Sequence, residues 1–310
     1  MTRTTLHGPT MATRWSASFD ADPALDVSAL QEALAAAVEQ VDQQMSPWKP
    51  DSDLSRLSRA PAGQWLPLPP EILEVLARAQ EICRLSAGAF DPAVGALVDA
   101  WGFGAPRDTP DPAAIRAARK TGARPLHEGL ELDTAAGRAR KHAPMQIDLC
   151  GIAKGYAVDR MTDTLRRHGV AHALASLDGE LRALGRQADG RPWPVALESP
   201  QQSRRAAHGV IELSDLAVAT SGGYRRSIQV GDTHLPHTID ARRGAPVNNT
   251  IASVTVLAAD CMSADAWATA LWVAGAEEGL ALAQRMGLEA LFLVRRGQGL
   301  VEMGLGRFGN

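Results

Sequence analysis

The sequence predicts an α+β fold rich in antiparallel strands. Three strand signals, WPVALE at 193–198, GVIEL at 209–213 and SIQV at 227–230, follow one another without a helical pattern between them. Elsewhere strand and helix signals alternate irregularly, and no segment repeats at a fixed period. A regular series of βαβ units would alternate strands with helices throughout, so a parallel doubly wound sheet is disfavoured.

Helices are predicted where apolar residues recur at helical spacing between start and stop signals. In the first helix Leu30 and Leu34 lie on one stripe, and Ser28 with Gln31 forms a capping box. Proline favours the first position of a helix and glycine the position after its end, which sets several other boundaries. The predicted helices lie at 28–45, from Pro70 to Gly88, from Asp111 to Gly122, between Gly151 and Gly169, after Ser263, and in a segment that ends at Gly287.

Further strands are predicted where β-branched and aromatic residues concentrate between turn residues. They lie at 13–20, 171–177, 251–258 and 289–294. At roughly 150 residues per domain, the length of 310 residues suggests about two domains, although one large α+β domain is also compatible.

The charge balance and the apolar pattern exclude several classes of protein. The chain has 32 Lys and Arg residues against 35 Asp and Glu residues, a formal net charge of −3, and no basic run that would bind nucleic acid. No run reaches the ~18 apolar residues of a transmembrane helix, and the N-terminus lacks the apolar segment of a secretory signal. The chain as written is therefore expected in the cytoplasm, or in the periplasm if its N-terminus was trimmed.

Two common signatures fail because of their context. GLGRFG at 304–309 matches GxGxxG, but it ends one residue before the C-terminus, so no helix can follow it to bind a pyrophosphate. ATSGG at 219–223 lacks the first glycine of a GxSxG nucleophile elbow, because Ala219 stands there. The three widely spaced cysteines fit neither a disulfide framework nor a CxxC metal site.

The segment IDLCGIAKGYAVD at 147–159 suits a phosphate ligand. A strand-like approach ends at Asp148, Gly151 follows, and a helix begins with Lys154 in its first turn. Helix N-terminal amides and a lysine both favour an anion, and Gly155 permits a close approach of the backbone. The alternative is an ordinary strand–turn–helix unit with a solvated lysine.

A second segment, SADAWATALWVAG at 263–275, offers oxygen ligands. Asp265 and Thr269 are four residues apart on a predicted helix, so their oxygens lie on one face. A carboxylate and a hydroxyl suit Mg²⁺ that takes its other ligands from water and phosphate. Alternatively, Asp265 interacts with the helix dipole and Thr269 packs inside.

Two more segments leave both a functional and a structural interpretation open. HLPHTIDARRGAP at 234–246 contains His237, which could act as a general base or lie exposed in a loop. GAFDP at 88–92 and WGFG at 101–104 could enclose a planar ring, or could form a helix C-cap and a core aromatic.

The order of these segments resembles the FAD:protein FMN transferase family, also called the ApbE flavin transferases. The similarity covers nearly the whole chain. The similar blocks are TMATRW at 10–15, SPWKPDSDLSRL at 46–57, GAFDP, WGFG, DLCGIAKGYAVD at 148–159, DGELRALG at 178–185, ATSGGY at 219–224, HTIDARRGAP at 237–246 and ADAWATAL at 264–271.

The resemblance implies a Mg²⁺-dependent transferase that carries out protein flavinylation. Members of the family split FAD at the pyrophosphate, attach FMN to a threonine hydroxyl of a target flavoprotein and release AMP. The family fold is α+β, related to the T-fold, with antiparallel-rich sheets and packed helices. It implies one flavin transferase domain over residues 1–310, as a single body or as two lobes around one cleft.

Matching positions carry the site residues of the family over to this chain. His237 is the residue expected to take the proton of the attacking hydroxyl, and Asp265, the other predicted catalytic residue, is expected to hold the metal. The predicted metal ligands are Asp265, Thr269 and the backbone carbonyl of Ala153. The predicted FAD contacts are Met11, Trp48, Ala89, Phe90, Asp91, Asp148, Lys154 and His237.

The chain departs from the family pattern without losing a predicted ligand. Ala12, Cys150 and Asp178 each stand where the family has glycine, which concerns backbone geometry near the flavin. Since the chain is mildly acidic, binding an anionic dinucleotide is expected to need local positive charge from Lys154, helix amides and Mg²⁺. Two other functions use the same residues: an FAD pyrophosphatase with water as acceptor, and an FAD-binding protein without turnover.

Overall fold

The fold was analysed in a computed structural model, which describes residues 2–104, 109–120, 124–200, 206–223, 227–230, 233–297 and 299–309. The strands are β1 (Thr2–Thr10), β2 (Thr13–Ala21), β3 (Trp65–Pro67), β4 (Leu130–Asp133), β5 (Arg138–Lys141), β6 (Ala173–Leu177), β7 (Glu180–Leu184), β8 (Trp193–Glu198), β9 (Ala207–Leu213), β10 (Ala217–Gly222), β11 (Ser227–Val230), β12 (Thr233–Pro236), β13 (Ile239–Asp240), β14 (Ala245–Pro246), β15 (Ile251–Ala258), β16 (Glu289–Arg296) and β17 (Gly299–Gly304). The α-helices are α1 (Val27–Met45), α2 (Asp53–Arg59), α3 (Pro70–Leu85), α4 (Gly95–Ala100), α5 (Pro112–Lys120), α6 (Leu126–Gly129), α7 (Ala153–Arg167), α8 (Cys261–Ala274) and α9 (Ala276–Met286).

The central element is an eight-stranded sheet with the order β1-β2-β6-β7-β10-β15-β16-β17. Each neighbouring pair of its strands is antiparallel. Small sheets accompany it, with the orders β3-β5-β4, β8-β9, β11-β12 and β13-β14. The predicted α+β fold with antiparallel-rich sheets is therefore confirmed.

The two faces of the central sheet have different covers. Ala217 of β10 and Val256 of β15 belong to the main apolar core, to which the long helices contribute. Val218 and Leu257, the next residues along the same strands, pack instead in a cluster with Val195 of β8. Because neighbouring side chains of a strand point to opposite faces, helices cover one face and the β8–β9 hairpin covers part of the other.

Most predicted elements are present, with two corrected helix starts. The N-cap of α1 is Asp26, whose side chain accepts the N–H of Ala29, so the predicted capping box at Ser28 is wrong. Helix α8 begins at Cys261, earlier than predicted, because Asp260 is its N-cap and accepts the N–H of Ser263. In both cases an aspartate two or three residues upstream provides the cap. Gly122, the predicted end of the third helix, lies outside the described residues.

Two strands, β1 and β10, were not predicted because their residue composition is not typical of a strand. Strand β1 is mostly exposed and contains Gly8 and Pro9, and β10 is built largely of small residues. Both are nevertheless fixed by neighbours: β1 pairs with β2, and β10 lies between β7 and β15. Among the helices of the described residues, none has both the length and the apolar character needed to cross a bilayer.

Candidate active site

One cleft of ≈ 1850 Å³ brings together all the predicted catalytic residues, FAD contacts and metal ligands. Their roles remain predictions, but their placement around one space is a finding. The residues that line it include Met11, Trp48, Ala89, Phe90, Asp91, Asp148, Ala153, Lys154, His237, Asp265 and Thr269.

Helices α7 and α8 approach each other closely at the cleft. The N–H of Gly155 donates to Oδ2 of Asp265 at 3.1 Å. A side chain at position 155 would collide with the carbonyl oxygen of Cys261 and would place its Cβ 2.9 Å from the Cβ of Asp265. Glycine at 155 therefore allows the contact that orients the Asp265 carboxylate.

Asp265 and Thr269 lie one turn apart on α8, as predicted. Asp265 is only 3% exposed. Burial, followed by the charge of Glu180, raises the pKa of its carboxyl to about 7. The Thr269 hydroxyl lies 3.1 Å from that of Ser221 on β10, which fixes its position from the opposite side.

This pair of oxygen ligands fits a hard cation. Oδ2 of Asp265 accepts the N–H of Gly155, whereas Oδ1 has no hydrogen bond within the part of the chain that is described. In that same part, no three His, Cys, Asp or Glu side chains form a group that could hold a metal ion. A Mg²⁺ ion here would therefore depend on Thr269, a backbone carbonyl, water and ligand phosphates for its remaining contacts.

Lys154 lies in a cluster that is more acidic than expected. Its ammonium nitrogen is 2.7 Å from Oε1 of the buried Glu180 and 3.9 Å from Oδ2 of Asp178. Burial alone would lower the pKa of Lys154, but Glu180 and Asp265 together raise it. With Asp265 the cluster has a net charge of −2 when all four groups are ionised, so the expected local positive charge from Lys154 is already neutralised.

Two aspartates fix the N-terminus of α8. Asp260 caps the helix, and the carboxylate of Asp159 on α7 accepts the N–H groups of Cys261 at 2.9 Å and Met262 at 2.8 Å. The same carboxylate accepts a hydrogen bond from Arg182 of β7 at 2.6 Å. Asp159 thus joins α7, α8 and the central sheet next to the cleft.

Two predicted FAD contacts have a structural task in the protein itself. Oδ1 of Asp91 accepts the N–H groups of Ala93 and Leu126, and burial raises the pKa of this carboxyl. Oδ1 of Asp148 accepts the N–H of Cys150 at 2.7 Å. Both aspartates therefore shape the loops of the cleft, whether or not they also touch a ligand.

The remaining predicted residues line the cleft with aromatic and apolar surface. His237 is half-buried, and the Phe103 ring lies edge-on to it with the ring centroids 6.5 Å apart. Trp48 is 53% exposed, which is unusual for so large an apolar side chain. A planar ring in the cleft would find stacking surface here.

Sequence reasoning did not single out Glu180, Ser221 or Phe103 as site residues. Each nevertheless lies in a segment used for the family resemblance, DGELRALG, ATSGGY or WGFG. Glu180 begins β7 directly after the β6–β7 turn, and its pairing with Lys154 is a long-range contact that no local pattern indicates.

Two departures from the family pattern occur where the backbone favours glycine. Ala12 has φ 57° in the two-residue turn between β1 and β2, and Asp178 has φ 57° in the turn between β6 and β7. Both are left-handed conformations that glycine adopts without strain. Ala12 and Asp178 therefore adopt the backbone conformation that glycine would adopt at these positions.

Known proteins resemble this chain over most of its length. The sequence profile of the ApbE family matches residues 11–292. An FAD:protein FMN transferase from Vibrio cholerae serotype O1 is 36% identical over 300 residues, which cover 96% of this chain and 89% of the relative. Another from Klebsiella pneumoniae is 32% identical over 304 residues, which cover 96% of this chain and 86% of the relative.

Solved structures show the same fold. The flavin transferase ApbE from Vibrio cholerae has a TM-score of 0.88 and 34% identity, and the match covers 99% of this chain and 98% of that one. The apo form of the flavinyl transferase ApbE from Pseudomonas stutzeri also has a TM-score of 0.88 and 34% identity, with 99% and 96% covered. The chain is a transferase that belongs to the ApbE family.

Proposed function

We propose that this chain is a Mg²⁺-dependent FAD:protein FMN transferase that attaches FMN to a threonine hydroxyl of a target flavoprotein and releases AMP. The observation that carries the proposal is the pair of oxygen ligands on α8, Asp265 and Thr269, in one cleft with the eight predicted FAD contacts. The names of the relatives from Vibrio cholerae and Klebsiella pneumoniae support the reaction class.

Asp265, Thr269 and the carbonyl of Ala153 would hold the Mg²⁺ ion. When bound, it supplies positive charge for the pyrophosphate oxygens in the transition state of phosphoryl transfer. The acidic cluster around Lys154 supports this proposal, since three carboxyl groups surround one ammonium, and this arrangement disfavours a bare pyrophosphate and favours a cation.

The protein's own residues provide the rest of the chemistry. The acceptor hydroxyl oxygen forms a bond to the FMN phosphorus, the bond from that phosphorus to the bridging oxygen breaks, and AMP leaves with that oxygen. We propose that His237, which lines the same cleft, accepts the proton of the attacking hydroxyl. Asp265 is committed to the cation and to Gly155, so it is a poor base for this step.

We also propose that residues 1–310 act as one functional unit. The cleft draws residues from both ends of the chain, from Met11 in the first hairpin to Thr269 and Val273 on α8. Neither half of the sequence contains the whole set, so two independent domains would each lack part of the site.

Product analysis tests the proposal. The protein is incubated with FAD, Mg²⁺ and an acceptor flavoprotein domain, and intact mass spectrometry follows the acceptor while chromatography follows AMP. We expect the acceptor to gain the mass of FMN, and we expect EDTA to prevent this. Free FMN and AMP with an unmodified acceptor would support an FAD pyrophosphatase instead, and intact FAD after long incubation would support a binding protein.

A further inference from the structure

In the described part of the chain, β8 presents the backbone edge at Pro194 and Ala196 to the cleft without a strand partner there. Five consecutive residues of β8, from Pro194 to Glu198, line the cleft, and no residue of its partner β9 does so. If one face of β8 met the cleft, alternate residues would line it. Consecutive residues indicate that the strand lies edge-on to the cleft.

The register determines which backbone groups point away from β9. Pro194 pairs with Glu212 and Ala196 with Val210 in this antiparallel hairpin. Such pairs alternate between hydrogen-bonded and non-hydrogen-bonded, and Pro194, which has no N–H, cannot form the first kind. Ala196, two residues on, therefore also points its N–H and C=O away from β9.

A second observation agrees with this alternation. The N–H of Ser199, just after β8, donates to the carbonyl of Ala206 at 2.8 Å. The register shifts between Leu197 and Glu198, but the extra residue, His208, lies on β9, so the alternation along β8 is kept and its odd-numbered residues face β9. In the part of the chain that is described, β8 has no strand partner besides β9. The N–H of Ala196 and the carbonyls of Pro194 and Ala196 are thus directed at the open edge.

This edge is continuous with the proposed metal ligands. Val195 of β8 packs in one cluster with Val218 of β10, and both line the cleft. Ser221, three residues further along β10, points to the opposite face of the sheet and contacts Thr269, which lines the same cleft. The cleft therefore joins the edge of β8 to the reacting centre, and an extended segment bound at Ala196 can continue toward Thr269 within it.

We infer that the edge of β8 binds the target flavoprotein, by adding the extended segment that carries the acceptor threonine as a further strand. This inference rests on the proposed function. An open strand edge binds extended polypeptide through main-chain hydrogen bonds, which accommodate different acceptor sequences. A dinucleotide has no corresponding row of alternating donors and acceptors.

The test uses a variant that removes one edge donor and a control that keeps it. Ala196→Pro deletes the N–H, whereas Ala196→Ser changes the exposed side chain and retains the N–H. We expect Ala196→Pro to raise the KM for the acceptor about tenfold, the effect of one lost hydrogen bond. FAD affinity and kcat at saturating acceptor stay near wild type, and Ala196→Ser behaves as wild type.

Three results would overturn the inference. They are an unchanged KM in a folded Ala196→Pro protein, an equal effect of Ala196→Ser, and a parallel loss of FAD affinity, which would assign the edge to the dinucleotide. Hydrogen exchange of the wild-type protein avoids any folding problem. The acceptor should slow exchange at the amide of Ala196 and leave that of Val210, which points out of the other side of the hairpin, unchanged; equal exchange at Ala196 with and without acceptor contradicts the inference.

Failure of the proposed function has a separate signature. If the wild-type protein attaches no FMN to the acceptor, the transferase proposal fails. The hydrogen-exchange experiment still decides whether the acceptor occupies the edge of β8.

Discussion

The ammonium of Lys154 lies 2.7 Å from Oε1 of Glu180, a carboxylate that is only 2% exposed. Asp178 and Asp265 lie close to the same ammonium. One positive and three negative groups therefore share the end of the cleft where pyrophosphate is proposed to bind. Because the negative groups outnumber the positive one, a bound cation would balance the charge of this cluster, which supports the proposed need for Mg²⁺.

Replacing Glu180 should weaken the binding of Mg²⁺ and strengthen the binding of the FAD pyrophosphate. Glu180→Gln removes one buried negative charge and releases Lys154 to interact with phosphate. We expect the Mg²⁺ concentration for half-maximal rate to increase severalfold and the KM for FAD to decrease. Initial rates over a grid of Mg²⁺ and FAD concentrations measure both constants.

A surface ion pair provides the control for this prediction. Glu278→Gln breaks the exposed contact with Arg242, which has the same 2.6–2.7 Å spacing. Both constants should stay at their wild-type values in that variant. Constants that move in the same direction in Glu180→Gln would contradict the electrostatic explanation.

The Mg²⁺-dependent rate should depend on the hydroxyl oxygen of Thr269 more than on the volume of its side chain. Thr269→Val keeps the volume but removes the oxygen that faces Ser221 and the proposed Mg²⁺ ion. We expect the Mg²⁺-dependent rate to fall by about tenfold or more, since a hard cation loses one of few protein oxygens. Thr269→Ser retains the oxygen and should keep most of the rate; equal rates for the two variants would remove Thr269 from the metal site.

The close packing at Gly155 predicts a loss of both stability and activity. Gly155→Ala forces a methyl group against Cys261 and Asp265, which should lower the free energy of unfolding by about 1–3 kcal/mol. It should also weaken Mg²⁺ activation, because the Asp265 carboxylate is displaced. Gly209→Ala is the matched control, because no atom lies within 4 Å of a Cβ built there.

Thermal unfolding and Mg²⁺ titrations of both glycine variants provide the measurement. A Gly155→Ala protein with wild-type stability would show that α7 and α8 can move apart without cost.

The buried Asp159 predicts a specific dependence of stability on pH. Burial raises the pKa of its carboxyl from the ordinary 3.8 to about 6, although Arg182 acts in the opposite direction. Between these two values the native state binds a proton that the unfolded chain does not, so this group adds stability as pH falls through 6. Relative to Asp159→Asn, the wild type should gain about 1 kcal/mol between pH 7 and pH 5.

Urea unfolding at both pH values measures this difference. Asp163→Asn, one turn further along α7 on its exposed side, is the control and should show no such gain. A difference between wild type and Asp159→Asn that stays constant, or grows as pH rises, would contradict the assignment.

The sequence was sufficient for elements whose signals are local. Pro70 starts α3 as predicted, although the helix ends at Leu85, three residues before Gly88. Gly169 and Gly287 follow α7 and α9 in left-handed conformations. The predicted start of α8, after Ser263, was wrong because Asp260 and Ser263 are both residue types that favour the N-cap position. The contact of Asp159 with the first amides of the helix favours Asp260 as the N-cap.

The site was predictable where ligands share one helix and not where they meet across the fold. Asp265 and Thr269 lie one turn apart on α8, so their spacing alone placed them together. The partners of these residues, Gly155 and Ser221, come from a different helix and a strand. The ion pair of Lys154 with Glu180 depends on tertiary packing. Nothing in the sequence therefore indicated that the positive charge of Lys154 is neutralised by a neighbour and not left for a phosphate ligand.

We propose above all that α8 holds the Mg²⁺ ion needed to move FMN from FAD to a threonine. The most direct measurement is a Mg²⁺ titration in which AMP released and FMN attached to the acceptor are quantified in the same samples, for wild type and Asp265→Asn. We predict one AMP for each FMN attached at every Mg²⁺ concentration in wild type, and neither product from Asp265→Asn. Equal transfer by the two proteins, or AMP released without FMN on the acceptor, would contradict the account.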